Sequence, residues 1–175
     1  MERKVYISFE FPEYPKDPTR FAIDDPCVVG TLQDQEEPAL CEMFWKRIEE
    51  GGFAGPCVNT LSTGDTFNCR CRPPKFISIK ESVPGTQDNP LAGKKGRLCD
   101  RKPGELTFTG VDFQCCYGPD ITEPLDARGG VVVRVDPEYL DRWYRLGKMV
   151  WKNHLGPHGL VKMYITKEKG VTNHV

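Results

Sequence analysis

The chain lacks any run of apolar residues approaching the roughly 18 to 20 that a helix needs to cross a bilayer. Its N-terminus, MERKVYISFEFPEYP, also lacks the apolar stretch and the small-residue cleavage site that are typical of a signal peptide. The sequence therefore predicts a cytoplasmic protein that has no membrane partner.

The chain also lacks an excess of charge of either sign. It carries 24 Lys and Arg against 25 Asp and Glu, a net charge of -1, and it contains no long block of like charges. Non-specific binding to nucleic acid depends on such an excess, so a nucleic-acid partner is not expected. No G-x-G-x-x-G sequence and no Walker phosphate loop is present, and we therefore predict no organic cofactor.

A chain of 175 residues is long enough for one sizeable core and short for two independent ones. We therefore predict a single domain that spans residues 1–175, with no internal repeat. The stretch between residues 80 and 102 has no periodicity and is rich in glycine, proline and charge. This composition predicts a long loop on the surface.

Several short segments alternate apolar and polar residues in the way that is typical of half-buried strands. These segments are residues 5–11 (VYISFEF), 57–61, 65–71, 75–79, 105–110 and 111–118. Residues 20–25 (RFAIDD), residues 130–136, which are rich in β-branched valine, and residues 161–165 are predicted as further strands. Residues 26–30 are predicted to form a loop, because Pro26 and Gly30 interrupt them. Many short strands and few helices indicate an all-β barrel or sandwich that carries helical caps.

Two segments have the three- and four-residue apolar spacing of helices. The first, residues 38–50, starts with Pro38 in the first turn and stops at a glycine pair. The second is predicted to begin at Pro137, after Asp136 as N-cap, and to end at Gly147. The later sequence NHLGPHG, residues 153–159, then forms a loop.

Four segments carry a resemblance to a known family. They are PGELTFTGVDFQCCYGPDITEP, GGVVVRVD, DPEYLDRWYRLG and VKMYI. Their order resembles the C-terminal half of the stand-alone bacterial cyclophilin-like proteins, and the first strand, the helix at 38–50 and the VNT triplet at 58–60 are similar to the N-terminal half. The resemblance implies a closed eight-stranded β-barrel with a helix at each open end.

The same resemblance implies a function in the metabolism of small molecules. Proteins of this kind look like accessory proteins of pathways that degrade amino acids or N-heterocycles. This resemblance implies an enzyme that acts on a carboxylated, nitrogen-containing metabolite. Ring opening, ring closure or isomerisation is the expected reaction, by a hydrolase, lyase or isomerase. The alternative is a non-catalytic binding or accessory subunit. Prolyl isomerisation is less favoured, because the Phe-His-Arg run of the isomerase cyclophilins is absent.

The sequence FNCRCRPPKF, residues 67–76, predicts a site for a carboxylate. On a strand, Phe67, Cys69 and Cys71 share the inward face, whereas Arg70 and Arg72 share the other face. Two adjacent guanidinium groups suit a carboxylate or a phosphate, and we expect them to bind a substrate carboxylate. The alternative is a solvated arginine pair that is bridged to an acidic residue on the neighbouring strand.

The eight cysteines are expected to be thiols, most of them in the core, because a reducing compartment disfavours disulfides. A C-x-C pair chelates zinc only with further ligands, and the vicinal Cys115 and Cys116 show no standard spacing relative to it. We therefore predict no metal site. One of the vicinal cysteines is expected to face the core. A buried thiol is the favoured prediction for the other as well, and a catalytic thiol in a surface groove beside Asp112 and Gln114 is the less favoured alternative.

The segment YGPDITEPLDARGG, residues 117–130, is predicted to supply catalytic groups. In the similar proteins this loop borders the ligand site, which implies that Glu123 transfers a proton and that Tyr117 orients or polarises the substrate. His154 and His158 are further candidates for acid or base, since both lie in a glycine-rich loop. Asn59 is expected to add a hydrogen bond to the substrate. The alternative for each of these candidates is that it is a solvated loop residue with no role in the reaction.

A homo-oligomer is also expected. Trp143, Tyr144 and Trp151 are large aromatic residues that we predict to be exposed, and such residues favour a symmetric contact between copies.

Overall fold

The computed structural model describes residues 2–13, 23–59, 63–70, 96–108, 112–122, 126–127, 130–156 and 158–170. The strands are β1 (Lys4–Glu10), β2 (Cys27–Leu32), β3 (Phe53–Val58), β4 (Thr66–Cys69), β5 (Gly96–Arg97), β6 (Glu105–Phe108), β7 (Phe113–Cys116), β8 (Asp126–Ala127), β9 (Gly130–Val135) and β10 (Lys162–Thr166). The helices are α1 (Pro38–Glu49) and α2 (Leu140–Leu155).

Eight of these strands form a closed antiparallel barrel, in the order β1-β10-β3-β4-β7-β6-β9-β2. Pairing of β2 with β1 closes the ring, and β5 pairs with β8 outside it. Every barrel strand therefore has a neighbour on both sides, which leaves no unpaired edge. The predicted fold class, a mainly β protein built on a closed eight-stranded barrel with two helices, is confirmed.

Alternation along β1 shows how the sequence builds the barrel wall. Val5, Ile7 and Phe9 are buried, whereas Tyr6 and Ser8 between them are partly exposed. Successive side chains of a strand point to opposite faces, so the apolar set of β1 fills the interior of the barrel.

Helix α1 packs on an aromatic layer inside the barrel. The ring of Phe44 on α1 stacks on Phe53 at 5.0 Å and meets Phe108 and Phe113 edge-on at 5.8 and 5.7 Å. Inward side chains of a closed barrel are accessible only through its open ends, so α1 covers one end. Residues of α1 that face away from this layer, such as Glu42, are exposed.

Helix α2 packs on a different interior layer. The buried ring of Trp143 lies 5.9 Å from Phe9 and 5.6 Å from Phe67, and its indole N–H donates to the carbonyl oxygen of Cys116 at 2.8 Å. By the same argument α2 covers the other end of the barrel. In the described part of the chain, no helix is both long enough and apolar enough to cross a membrane.

The prediction for the second strand is wrong. Residues 23–25 of the predicted segment are irregular and residues 20–22 lie outside the described part, whereas β2 occupies the segment that was predicted as a loop. Gly30 is not a turn residue but a point of close approach, where a Cβ would lie 2.6 Å from Cγ1 of Val133 on β9. A glycine here lets β2 and β9 come together.

The predicted end of the second helix at Gly147 is also wrong, because α2 continues to Leu155. A Cβ on Gly147 would lie 2.1 Å from Cγ of Tyr117, so this glycine makes room for an aromatic ring against the helix. His154 is therefore in the last turn of α2 rather than in a loop. His158 follows the helix with a left-handed φ of 54°.

Two further predictions concern exposure and loops. Trp143 was predicted to be exposed but is fully buried, because the indole N–H finds a carbonyl partner inside; Tyr144 is exposed and Trp151 is partly buried. A homo-oligomer stays a prediction.

Residues 80–95 of the predicted long loop, and the predicted strand at 75–79, lie outside the described part. Residues 96–100 contain β5 and a 3-10 turn.

Candidate functional site

Asp65 is a carboxylate that is buried at the α2 end of the barrel, with 4% of its surface exposed. It lies in the turn that leads into β4, where Gly64 has a φ of 76°. The backbone N–H of Asp65 donates to the carbonyl oxygen of Asp120 at 2.8 Å, and the N–H of Tyr117 donates to the carbonyl oxygen of Asp65 at 2.9 Å. These bonds attach the turn to the segment that follows β7.

Lys148 on α2 pairs with this carboxylate. Its Nζ donates to Oδ1 of Asp65 at 2.7 Å and lies 5.5 and 5.2 Å from the ring centres of Tyr117 and Tyr144. The Lys148 side chain is 36% exposed. Burial acts to lower the pKa of Lys148, but the hydrogen bond to Asp65 and its charge outweigh burial, and the net shift is upward. The ammonium group is therefore present throughout the neutral range.

Tyr117 is 2% exposed and stacks on Phe67 at a centroid distance of 6.1 Å. Burial raises the pKa of its phenol well above the usual value, and the nearby Asp65 carboxylate raises it further, whereas Asn59 acts in the opposite direction. The phenol keeps its proton at neutral pH. It is therefore a hydrogen-bond donor in the neutral range and a poor general base.

Asn59 follows β3 and is only 5% exposed. Neither its amide nitrogen nor its carbonyl oxygen makes a hydrogen bond of normal geometry within the described part of the chain, although the amide lies near enough to the Tyr117 hydroxyl to influence its pKa. Buried side-chain amides are normally satisfied, and leaving one unsatisfied costs about 1–3 kcal/mol. An unsatisfied amide beside a buried charge pair indicates a place for a ligand.

We refer to Asn59, Asp65, Tyr117, Tyr144 and Lys148 as the polar cluster. Four separate elements supply it: the segment after β3, the turn before β4, the segment after β7, and α2. It offers ammonium and amide donors, carboxylate and amide acceptors, and aromatic rings around them. A few convergent polar groups against aromatic walls are typical of sites for small molecules.

The structure places two of the sequence-predicted site residues, Tyr117 and Asn59, in the polar cluster. Arg70 lies elsewhere, exposed at the end of β4, with its Nε 3.5 Å from Oδ1 of Asp112. This ion pair matches the alternative reading of the arginines. Arg72 and Glu123 lie outside the described residues, so their roles stay predictions.

The two histidine candidates lie close to each other at the end of α2. The rings of His154 and His158 are 6.3 Å apart, and the backbone N–H of His158 donates to the carbonyl oxygen of Asn153 at 2.9 Å. Among the described contacts, neither histidine shares a hydrogen bond or ion pair with Asp65 or Lys148. Their catalytic role stays a prediction.

The inward orientation of Phe67 and Cys69 agrees with the prediction, and Cys71 lies outside the described residues. Cys115 and Cys116 are both buried, which agrees with the favoured prediction of buried thiols and not with the alternative of a thiol in a surface groove. Burial raises the pKa of the Cys116 thiol to about 12. Within the described part of the chain, no group of three or more His, Cys, Asp or Glu side chains is arranged to hold a metal ion.

Asp65, Lys148 and Tyr144 were missed from the sequence. The carboxylate and the ammonium are separated by 83 residues, and no local pattern joins them. One signal was present, because Tyr144 and Lys148 are four residues apart and therefore lie on one face of a helix beside Gly147.

No family model matches the chain, and none of the curated proteins matches it. Among solved structures, the chain is similar to a structure of McbB in complex with tryptophan, with a TM-score of 0.69 and 16% sequence identity. The match covers 98% of this chain and 46% of the McbB chain, so the chain spans less than half of that protein's length. The likeness shows the fold alone, and together with the closed barrel it fits a cyclophilin-like fold.

Proposed function

We propose that the protein is an enzyme that binds a small carboxylated, nitrogen-containing metabolite at the polar cluster and opens, closes or isomerises its ring. The observation that carries this proposal is the buried amide of Asn59, which lies beside the Asp65–Lys148 pair and finds no hydrogen-bond partner among the residues that the structure describes. A ligand that hydrogen-bonds to this amide removes the cost of leaving it unsatisfied.

The charges of the polar cluster support an anionic ligand group. An ammonium has three donors, and Asp65 accepts one of those of Lys148, so the part-exposed side chain retains donors for a carboxylate. Asp65 and the carbonyl oxygen of Asn59 can accept from an amine or a ring N–H. The exposed ring of Tyr144 offers a flat apolar surface beside them.

The structural neighbour supports the same ligand class. The McbB structure holds tryptophan, which combines a carboxylate, an amine and a nitrogen-containing aromatic ring. McbB is much longer than this chain and only 16% identical to it, so tryptophan is a starting compound for a screen.

Proton transfer requires a group other than the two donors of the polar cluster. The pKa values of Lys148 and Tyr117 are both raised, so neither gives up a proton readily in the neutral range. We therefore assign them to binding and polarisation of the substrate, and retain Glu123 as the proposed proton-transfer group. If neither Glu123 nor another group transfers a proton, the raised pKa values of Lys148 and Tyr117 favour the second candidate function, a binding or accessory subunit.

Calorimetric titration of the chain with aromatic amino acids and N-heterocyclic carboxylates tests the ligand class. Lys148→Met is expected to weaken binding of a hit by about 10- to 100-fold, because a charge-assisted hydrogen bond contributes about 1.5–3 kcal/mol. Lys152→Met is the matched control, since this exposed lysine lies one turn further along α2. Equal losses in both variants, or no binding by any compound of the class, would contradict the proposed site.

Turnover of the bound compound separates the two candidate functions. In an enzyme, Glu123→Gln is expected to abolish turnover while affinity changes little, because the group acts in the reaction rather than in binding. A ligand that binds without turnover, together with a partner protein that co-purifies at fixed stoichiometry, would favour the accessory subunit instead.

A further inference from the structure

Cys57 and Cys69 lie directly opposite each other on β3 and β4. The N–H of Cys57 donates to Val161 on the other side of β3, and the N–H of Arg70 donates to the carbonyl oxygen of Pro56 at 3.1 Å. In an antiparallel ladder this pattern identifies Cys57 and Cys69 as a non-hydrogen-bonded pair, the type in which opposite Cα atoms approach to about 4.5 Å.

The two thiols meet inside the barrel. Cys57 is 8% exposed and Cys69 is completely buried, and the two side chains are in hydrogen-bond contact. The Cys69 thiol also donates to the carbonyl oxygen of Gly55 at 3.3 Å. A Cα separation of about 4.5 Å lies within the range of 4.4–6.8 Å that a disulfide bridges without movement of the backbone.

Among the described residues, the pair lies between the two barrel strands that share the shortest paired stretch. Within the described residues, β3 and β4 are registered at two positions, whereas β1 and β2 are registered at five. The segment between β3 and β4 carries Asn59 and Asp65, so a covalent link at this seam would tether the base of that segment.

We propose that Cys57 and Cys69 form an oxidisable dithiol that closes to a cross-strand disulfide when a peroxide reaches it. The sulfur of Cys57, the more exposed of the two, attacks one peroxide oxygen; an S–O bond forms, the O–O bond breaks and one water leaves. The sulfur of Cys69 then displaces the hydroxyl group from the sulfenic acid, an S–S bond forms and a second water leaves. Two thiols are oxidised and one hydrogen peroxide is reduced to two waters.

The reaction is slow in the folded protein near neutral pH. Burial raises the pKa of the Cys57 thiol well above its ordinary value, and the contact with Cys69 raises it further. The thiolate is the reactive form, so the rate of disulfide formation is expected to rise about tenfold per pH unit between pH 7 and 9. For an exposed thiol, the oxidation rate stops rising once the pH exceeds the ordinary thiol pKa of about 8.5.

Peptide mapping after oxidation tests the proposal. Cys71→Ser and Cys99→Ser remove two other thiols, the variant is treated with hydrogen peroxide while folded, and the remaining thiols are alkylated in denaturant. The expected result is a Cys57–Cys69 linkage that dithiothreitol reverses, and Cys57→Ala abolishes this linkage. The proposal would be overturned by a Cys69–Cys115 linkage. It would also be overturned if every remaining cysteine is still alkylated after oxidation at pH 9, because no disulfide has then formed.

Hydrogen exchange distinguishes closure in the native barrel from oxidation of an opened chain. In the oxidised protein, the Arg70 amide, which bonds across this seam, is expected to exchange at least about tenfold more slowly than in the reduced protein. Faster exchange across β3 and β4 after the linkage has formed would show that the disulfide belongs to a disrupted barrel and would overturn the proposal. The inference does not depend on the proposed function.

Discussion

The two ends of the barrel are closed by the same device, a helix over an aromatic layer, but with different chemistry. At the α1 end, Phe44 packs on Phe53, Phe108 and Phe113 with ring centroids 5.0–5.8 Å apart. At the α2 end, aromatic rings of the same kind surround a buried carboxylate, its ammonium partner and the Asn59 amide.

The difference indicates which end is optimised for stability. An aromatic layer gains from apolar burial and from ring geometry, and a phenylalanine ring carries no polar group that needs a partner. A buried charge pair contributes little net stability, and an unsatisfied amide reduces it. Proteins retain such groups where function requires them, so we propose the α2 end as the functional end and the α1 end as the structural end.

The largest effect is expected from Phe53→Ala at the structural end. Loss of a fully buried ring should lower the free energy of unfolding by about 3–5 kcal/mol, measured by urea denaturation, whereas Phe53→Leu should cost considerably less. Below the transition, ligand affinity is expected to be unchanged in both variants. Weakened binding by a fully folded Phe53→Leu protein would break the division between the two ends.

Gly147→Ala should have the next largest effect and should act on both properties. The added methyl group collides with the ring of Tyr117, and such overpacking costs about 1–3 kcal/mol. Because the ring belongs to the polar cluster, binding should weaken as well. Arg145→Ala, on the exposed face of the same helix, is the control that should change neither quantity.

Lys148→Met tests the charge pair itself. Removing one partner of a fully buried pair costs about 3–5 kcal/mol, but Lys148 is 36% exposed and solvent screens the loss, so we expect about 1–2 kcal/mol. Combining it with Asp65→Asn should cost less than the sum of the single changes. Because the folded pKa of Lys148 is raised, the contribution of the pair is complete below pH 10 and is lost as pH rises through that pKa. If the losses in free energy of unfolding of the two single variants simply add in the double variant, Lys148 and Asp65 are not coupled.

Much of the fold could be predicted from local patterns, because the wall of a barrel alternates inward and outward residues. The segments that became β1 and α1 carry strong periodicity, the segment that became β9 is rich in β-branched valine, and the predicted types of all three are correct. Two glycines misled the prediction in opposite ways. Gly30 was read as a loop and lies in a strand, and Gly147 was read as a helix end and lies inside α2; each serves a close approach to a distant residue.

The candidate site could be predicted only in part. Tyr117 and Asn59 were selected from loops next to strands, and both lie in the polar cluster. Asp65 and Lys148 have ordinary local contexts, and their importance comes from burial and from a contact across 83 residues. Burial of a charged pair is a property of tertiary structure, which no short motif in this chain reveals.

Asn59→Leu should produce the smallest change in stability and the clearest separation of stability from function. Leucine has the same branched arrangement of heavy atoms as asparagine and removes the two unsatisfied polar atoms, but its methyl groups are larger. The gain from removing the polar atoms and the cost of overpacking oppose each other, so stability should change by no more than about 1 kcal/mol. Binding should nevertheless be lost, because the ligand no longer finds the amide. Asn68→Leu on the neighbouring strand β4, where the side chain is partly exposed, is the control and should leave binding intact. A loss of stability beyond the roughly 1–3 kcal/mol that overpacking costs would mean that the amide is satisfied within the free protein, and the α2 end would then be structural as well.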